Sequence, residues 1–240
     1  MSPLLQLTGV ETHIGRYHIL HGVDLSVAQG RVTMLLGRNG AGKTTTLRTI
    51  MGLWRASSGE IRFGDAHIEA AATPDIARLG LGYVPENMGV FSDLTVRENL
   101  VLAARDAALD EARLDWIFGF FPALKKFWLS RAGNLSGGQK QMLSIARALA
   151  EPRKLLLIDE PTKGLAPAIV ASLIACLADL KARGSTILLV EQNFLVAQQI
   201  GDDVVVMDNG RAIHWGDMAT LAADESLQHK LLGLSLDSHQ

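Results

Sequence analysis

Cysteine is nearly absent from this chain: Cys176 is the only one in 240 residues. A single thiol excludes an internal disulfide and a cysteine-built metal cluster. It sits in the apolar run Ile174-Ala175-Cys176-Leu177 and reads as a small buried hydrophobe rather than a reactive thiol. Long apolar runs are missing as well; none approaches the ~20 residues a membrane-spanning helix needs. The opening MSPLLQLTGV lacks the basic stretch and apolar core of a signal peptide. The expectation is a soluble cytoplasmic chain whose membrane role, if any, comes through partners. Charge of one sign is also scarce. The 23 Lys and Arg and 25 Asp and Glu are interspersed and leave a net charge of −2. Without a basic block, nucleic acid is not an indicated partner, and without an acidic block there is no solvating tail. No internal repeat or low-complexity linker divides the chain. What is there is apolar content, 48%, enough for one large core in a single α/β domain.

Short apolar runs bounded by turn residues read as strands at 32–36, 81–84, 155–158, 186–190 and 204–207. Helical patterns lie between them, from Gly42 to about Leu53, from about Gly137 to Ala150, and from Ala168 to Arg183. Strands alternating with helices imply a mostly parallel sheet covered on both faces. The first 30 residues and the segment 60–63 read as a smaller antiparallel layer, with turns at Gly15-Arg16 and Gln29-Gly30. A helical insert is expected over about 94–127, and a short helix and polar tail from about Leu221. Phe118, Phe120, Phe121, Phe127 and Trp128 form the densest aromatic cluster and read mainly as core of that insert.

Two segments carry chemistry. Gly37-Arg38-Asn39-Gly40-Ala41-Gly42-Lys43-Thr44 fits G-x-x-x-x-G-K-[ST] between a strand and a helix, the context a phosphate loop requires. Its glycines allow backbone N–H groups to turn inward around phosphate oxygens, and the helix that follows points its positive end at them. Lys43 adds a point charge near the terminal phosphates, and the Thr44 hydroxyl is a Mg²⁺ ligand candidate. The candidate ATP contacts are Gly37, Asn39, Gly40, Ala41, Gly42, Lys43, Thr44 and the adjoining Thr45. The second segment is Lys154 followed by the apolar run 155–158, ending in Asp159 and Glu160. Functional groups of open α/β sheets gather at the C-terminal ends of strands. Asp159 is the candidate to hold Mg²⁺, and Glu160 the candidate to orient or deprotonate attacking water.

These two motifs indicate a nucleotide hydrolase and no more. Leu135-Ser136-Gly137-Gly138-Gln139, followed by the helical KQMLSIARALA, narrows the class. Serine and two glycines at a helix start make a second anion site, and one phosphate chain does not need two. Here the chain resembles the ABC ATPase family, whose signature is LSGGQ, and the resemblance spans about residues 7–207. It implies a P-loop fold of the ABC ATPase type, one domain over 1–240. This has a mostly parallel core sheet, an antiparallel β layer, a helical subdomain over about 94–150 and a C-terminal helix and tail over about 221–240. It further implies that Ser136, Gly137, Gly138 and Gln139 act across a dimer on ATP held by the other subunit. The segment 161–167 falls where the family places its dimer-seam loop. Hydrolysis would move integral membrane permease subunits, and a groove near 87–105 would receive a short permease helix. The chain would lie peripherally on the cytoplasmic face of the inner membrane.

Within the family, Tyr83-Val84-Pro85-Glu86, Phe121-Pro122, Arg131-Ala132-Gly133, the run GLAP and Leu189-Val190-Glu191-Gln192-Asn193 resemble the second ATP-binding subunit of bacterial branched-chain amino acid importers. That would add a sister ATPase and, indirectly, a solute-binding protein as partners; urea and short-amide importers are the near alternative. A non-transport ABC ATPase would carry two motif sets or a coiled-coil insertion, and neither is present. A nucleotide-binding regulator without hydrolysis is the further alternative, against which Glu160 argues. Three positions depart from the general family pattern. Glu86 stands where most members have a Mg²⁺-contacting Gln, and Gln192 stands at the switch His and is assigned a catalytic role toward the γ-phosphate. Ile14 occupies the place of the adenine-stacking aromatic residue, and Tyr17, three residues on, is either a substitute stacker or a half-buried strand tyrosine.

Overall fold

The structure is a computed structural model and describes residues 3–104 and 108–233. Five strands, β3 (Val32–Gly37), β6 (Leu81–Val84), β7 (Leu155–Asp159), β8 (Thr186–Val190) and β9 (Asp203–Asp208), make a parallel array. β10 (Arg211–Asp217) closes one edge antiparallel, and the order is β10-β9-β3-β8-β7-β6. β7 and β8 are buried at every position, as the unbroken apolar runs LLLI and ILLV require of strands with both faces covered.

The two faces feed two cores. In β3, β7 and β8, Met34, Leu156, Ile158, Ile187 and Leu189 join one, while Leu35, Leu155, Leu157, Leu188 and Val190 join the other. This is the period-two alternation of a strand. The first core is closed by the helices α6 (Gly137–Leu149) and α7 (Pro167–Ala182), with Leu143, Leu173 and Leu177 facing in. The second is closed by α1 (Lys43–Ile50) and an antiparallel sheet of β1 (Leu5–Ile14), β2 (Tyr17–Val27), β4 (Ala56–Phe63) and β5 (Ala66–His67), ordered β2-β1-β4-β5. The parallel strands thus end together under one edge, with Asp159 opposite Val190 and Val84 opposite Ile158.

The insert contains α3 (Val96–Val101), α4 (Glu111–Phe120) and α5 (Pro122–Lys126), after which a single 3₁₀ turn leads into α6. Phe121 is fully buried, and Phe118, Phe120, Phe127 and Trp128 pack half-buried against the same core. Residues 105–107 of the expected insert lie outside the described residues, as does the expected tail over 234–240.

Several elements differ from the sequence reading. α1 stops at Ile50 rather than near Leu53, because Gly52 takes a left-handed conformation (φ 68°) just past the helix end. α2 (Thr73–Arg78) and α8 (Phe194–Ile200) are short helices that were not anticipated. β10 was not anticipated either; as an edge strand it is half exposed and mixes Arg211, His214 and Asp217 with apolar residues, so it carries little hydrophobic signal. The C-terminal helix is two, α9 (Met218–Ala223) and α10 (Glu225–Leu232). The break falls at Asp224, whose side chain accepts from the Leu227 amide and caps the second helix.

Candidate nucleotide and catalytic site

The site grows from the end of β3. Gly37, Gly40 and Gly42 all have positive φ (143°, 82° and 102°). At Gly37 a Cβ would lie 2.2 Å from the Met207 carbonyl oxygen, so only glycine lets the loop leave the sheet against β9. α1 starts at Lys43 with no side chain capping its first amides. Lys43 curls back over the loop, and its ammonium donates to the Gly37 and Arg38 carbonyls at 2.8 and 3.2 Å. Its side chain is 4% exposed, and burial pulls its pKa down, against the opposing pull of Glu160 and Asp159.

β7 delivers the acids. Asp159 is fully buried and accepts from the Thr44 hydroxyl at 3.0 Å, with the Tyr83 hydroxyl at 3.5 Å. Burial raises its carboxyl to about 6; the Thr44 bond opposes this, and the neighbouring Glu160 and Glu86 charges add to it. The Tyr83 hydroxyl is pushed up to about 12, by burial first and by Asp159 next. Glu160 follows at φ 46°, a left-handed conformation unusual for a residue with a side chain. Its amide donates to the Val190 carbonyl at 3.0 Å, and its carboxylate stands 4.0 Å from the Lys43 ammonium.

Lys163 lies in the segment 161–167, which the sequence places at the dimer seam by resemblance. The structure places its ammonium 2.7 Å from Glu86 and 3.3 Å from Glu160. The extra carboxylate at Glu86 therefore has a positive partner, and the two contacts raise the lysine pKa, Glu86 contributing most. A turn closes the three-residue step back to Glu160, with the Lys163 amide donating to the Glu160 carbonyl at 3.3 Å; the reach to Glu86 carried no local signal.

A cleft of about 350 Å³ joins these parts, lined by residues 39–45 with Ile19, Glu86, Glu160, Lys163 and Gln192. Ile14 and Tyr17 face each other across the β1–β2 turn and do not line it. Tyr17 is 60% exposed, with Arg16 donating to its hydroxyl and lying over its ring. Ile19, two residues further along the same face of β2, is the apolar side chain that reaches the cleft. A larger cleft of about 440 Å³ lies between α4 and the end of α7. Its Arg113 and Arg183 are engaged by the Leu149 and Glu151 carbonyls and by Asp179, and no phosphate-binding loop opens into it.

The signature residues lie apart from the phosphate cleft. Ser136 caps α6 by accepting from the Gln139 amide at 3.3 Å, and Gln139 Oε1 accepts in return from the Ser136 amide at 2.9 Å. Ser136 and Gly137 are exposed, and none of residues 136–139 lines the phosphate cleft of this chain.

A phosphate loop after β3, two acids at the end of β7, with β8 between those strands, and a separate capped SGGQ helix start form one recognisable set. The family model described as ABC transporter matches residues 20–163. The chain belongs to the ABC transporter family. This cassette is an ATP-binding, ATP-hydrolysing domain, and members of the family dimerise and work with membrane permease subunits. It is 38% identical to the high-affinity branched-chain amino acid transport ATP-binding protein BraG of Pseudomonas aeruginosa, over 96% of this chain and all of that protein. It is 36% identical to the probable branched-chain amino acid transport ATP-binding protein LivF of Archaeoglobus fulgidus, over 90% of this chain and 93% of the other. A solved ATP-binding subunit of an ABC transporter superposes with a TM-score of 0.81 at 31% identity, covering 98% of this chain and 96% of that one. No helix among the described residues is long and apolar enough to cross a membrane.

Proposed function

We propose that this cassette is the ATPase subunit of a branched-chain amino acid importer, held peripherally on the cytoplasmic face of the membrane by permease subunits. The observation that carries the solute is the similarity to BraG, which runs the whole length of that protein rather than through the ATPase motifs alone. A sister ATPase completes the dimer, and a solute-binding protein acts from the far side of the permease.

In this reading backbone amides of the loop 39–44 and the Lys43 ammonium hold the β- and γ-phosphates. Ile19 supports the base by apolar contact. The donors suit Mg²⁺, since all are oxygens: Thr44 and Glu86 line the cleft, and Asp159 Oδ1 stands 3.0 Å behind the Thr44 hydroxyl. No three His, Cys, Asp or Glu side chains among the described residues are grouped to hold a metal unaided. Mg²⁺ fits such a sparse site because it keeps waters and takes oxygens from substrate phosphates. Bound there, it would neutralise charge developing on the transferred phosphoryl group. Glu160 orients the attacking water and accepts its proton as the water oxygen bonds the γ-phosphorus. The bond from that phosphorus to the β–γ bridging oxygen breaks, leaving ADP and inorganic phosphate. Gln192 donates to a γ-phosphate oxygen but cannot become cationic. The exposed amides at the start of α6 close over nucleotide held by the opposite subunit.

The test is ATP hydrolysis by the natively isolated membrane complex with its solute-binding protein. Stimulation by leucine, isoleucine and valine is expected. Stimulation by urea or short amides instead would keep the motor and overturn the solute.

A further inference from the structure

Glu191 is a carboxylate buried to 2% exposure, at a position to which the mechanism above assigns nothing. It follows β8 directly and precedes Gln192. Its Oε1 accepts from the Thr162 amide at 3.2 Å, and its Oε2 accepts from the Thr162 hydroxyl at 2.9 Å and from the Gln192 amide at 3.2 Å. The Asn193 amide is a further donor to it, and Asn193 in turn caps α8. One side chain therefore gathers donors from two loops: the loop that carries Glu160 and the loop that carries Gln192. The loops are also joined upstream, where Asp159 pairs with Val190 and the Glu160 amide donates to the Val190 carbonyl. Between these two attachments lies the left-handed turn at Glu160, which persists only if its flanks are held.

We infer that Glu191 is a positioning residue that locks the loop bearing Glu160 to the switch loop bearing Gln192, so that the two reacting groups are set and moved as one unit. A buried carboxylate suits the task. It offers lone pairs in several directions, whereas an amide of the same size offers one acceptor oxygen and turns an NH₂ group toward N–H donors it cannot satisfy. Thr162 is the matching half of the lock, since both its amide and its hydroxyl are spent on Glu191.

The inference rests on the proposed roles of Glu160 and Gln192, so Glu160→Gln accompanies the test. Glu191→Gln, Thr162→Val, Thr162→Ser and the double variant Glu191→Gln/Thr162→Val are made in the full chain. Melting temperature and ATP affinity are measured on the isolated chain, and kcat and KM on the assembled complex. Glu191→Gln and Thr162→Val are each expected to lower kcat tenfold or more while KM and ATP affinity stay within threefold. The double variant should fall no further than the worse single, and Thr162→Ser, which keeps the hydroxyl, should restore turnover. A kcat within twofold of the parent in either single variant would overturn the inference. So would losses that multiply in the double variant, or a KM that rises as kcat holds. If Glu191→Gln does not fold, the contrast of Thr162→Val with Thr162→Ser decides alone, equal turnover in the two counting against the lock. Normal turnover in Glu160→Gln would instead defeat the reading of Glu160, a result distinguishable from failure of the lock.

Discussion

Two helices of this cassette begin at glycine-containing turns, and they begin differently. α1 opens below Gly42 with no side chain on its first amides, beneath a buried lysine and beside two buried acids. α6 opens at Ser136 with a complete capping box, and Ser136 and Gly137 are exposed. The first arrangement leaves donors unsatisfied where an anion is meant to lie and builds the rest of the site within the same chain. The second satisfies its own helix start through the Ser136–Gln139 capping box, and in the proposed dimer its glycine amides serve nucleotide held by the other subunit. In the proposed reading, capping chemistry separates a site that a chain fills for itself from one that it lends.

The largest test of this contrast acts on the self-contained site. Glu160→Gln should reduce turnover by about 10²–10⁴-fold, the range for loss of a general base, with nucleotide binding retained; phosphate release and equilibrium titration report the two. Next, Lys43→Met should weaken ATP binding to the isolated chain by about tenfold or more, since a charge-assisted contact contributes ~1.5–3 kcal/mol, read by titration calorimetry. Ser136→Ala is its counterpart. It should leave that affinity unchanged and cost about 1 kcal/mol of stability through the lost cap, read by urea denaturation, while lowering turnover of the assembled dimer. Equal effects of Lys43→Met and Ser136→Ala on the isolated chain would erase the contrast. Smaller still, Glu86→Gln with Gln192→His should raise turnover of this site a few-fold, by removing one carboxylate beside Asp159 and restoring a switch side chain able to carry charge; an unchanged rate would sink that expectation.

The smallest effect lies far from both helix starts. Cys176 is fully buried, and burial lifts its thiol from an ordinary 9.0 to about 12. Because the folded value lies above the unfolded one, the unfolded chain gives up its proton first as pH rises. The thiol's contribution to stability is whole below pH ~9 and is lost between pH ~9 and ~12. Urea midpoints measured from pH 8 to 10.5 should decline less in Cys176→Ala than in the parent, and the native thiol should resist labelling at pH 8 until the chain unfolds.

The phosphate loop, the central strands and the start of α6 were legible in the residues because each is a local pattern. A fully buried parallel strand must be apolar throughout, as in LLLI before Asp159, and a loop that wraps phosphate must hold glycine where φ turns positive. The weak edge strand β10 and the divided C-terminal helix were illegible because they carry few apolar residues and are defined by what they pair with or by a single cap.

Residue order alone thus determined the glycine loop between β3 and α1, the acid pair that ends β7, and the capped SGGQ start of α6, the parts on which the proposed nucleotide sites rest. Only the tertiary structure decided that Ile19 rather than Tyr17 lines the cleft, that Lys163 bridges Glu86 and Glu160, and that Glu191 ties Thr162 to Gln192. The physical reason is sequence separation: Glu191 meets Thr162 across 29 residues and Lys163 meets Glu86 across 77, while the place of Ile19 depends on which face of a strand a residue meets. Such contacts form because the sheet brings the ends of β6, β7 and β8 to one edge, and no local pattern records them.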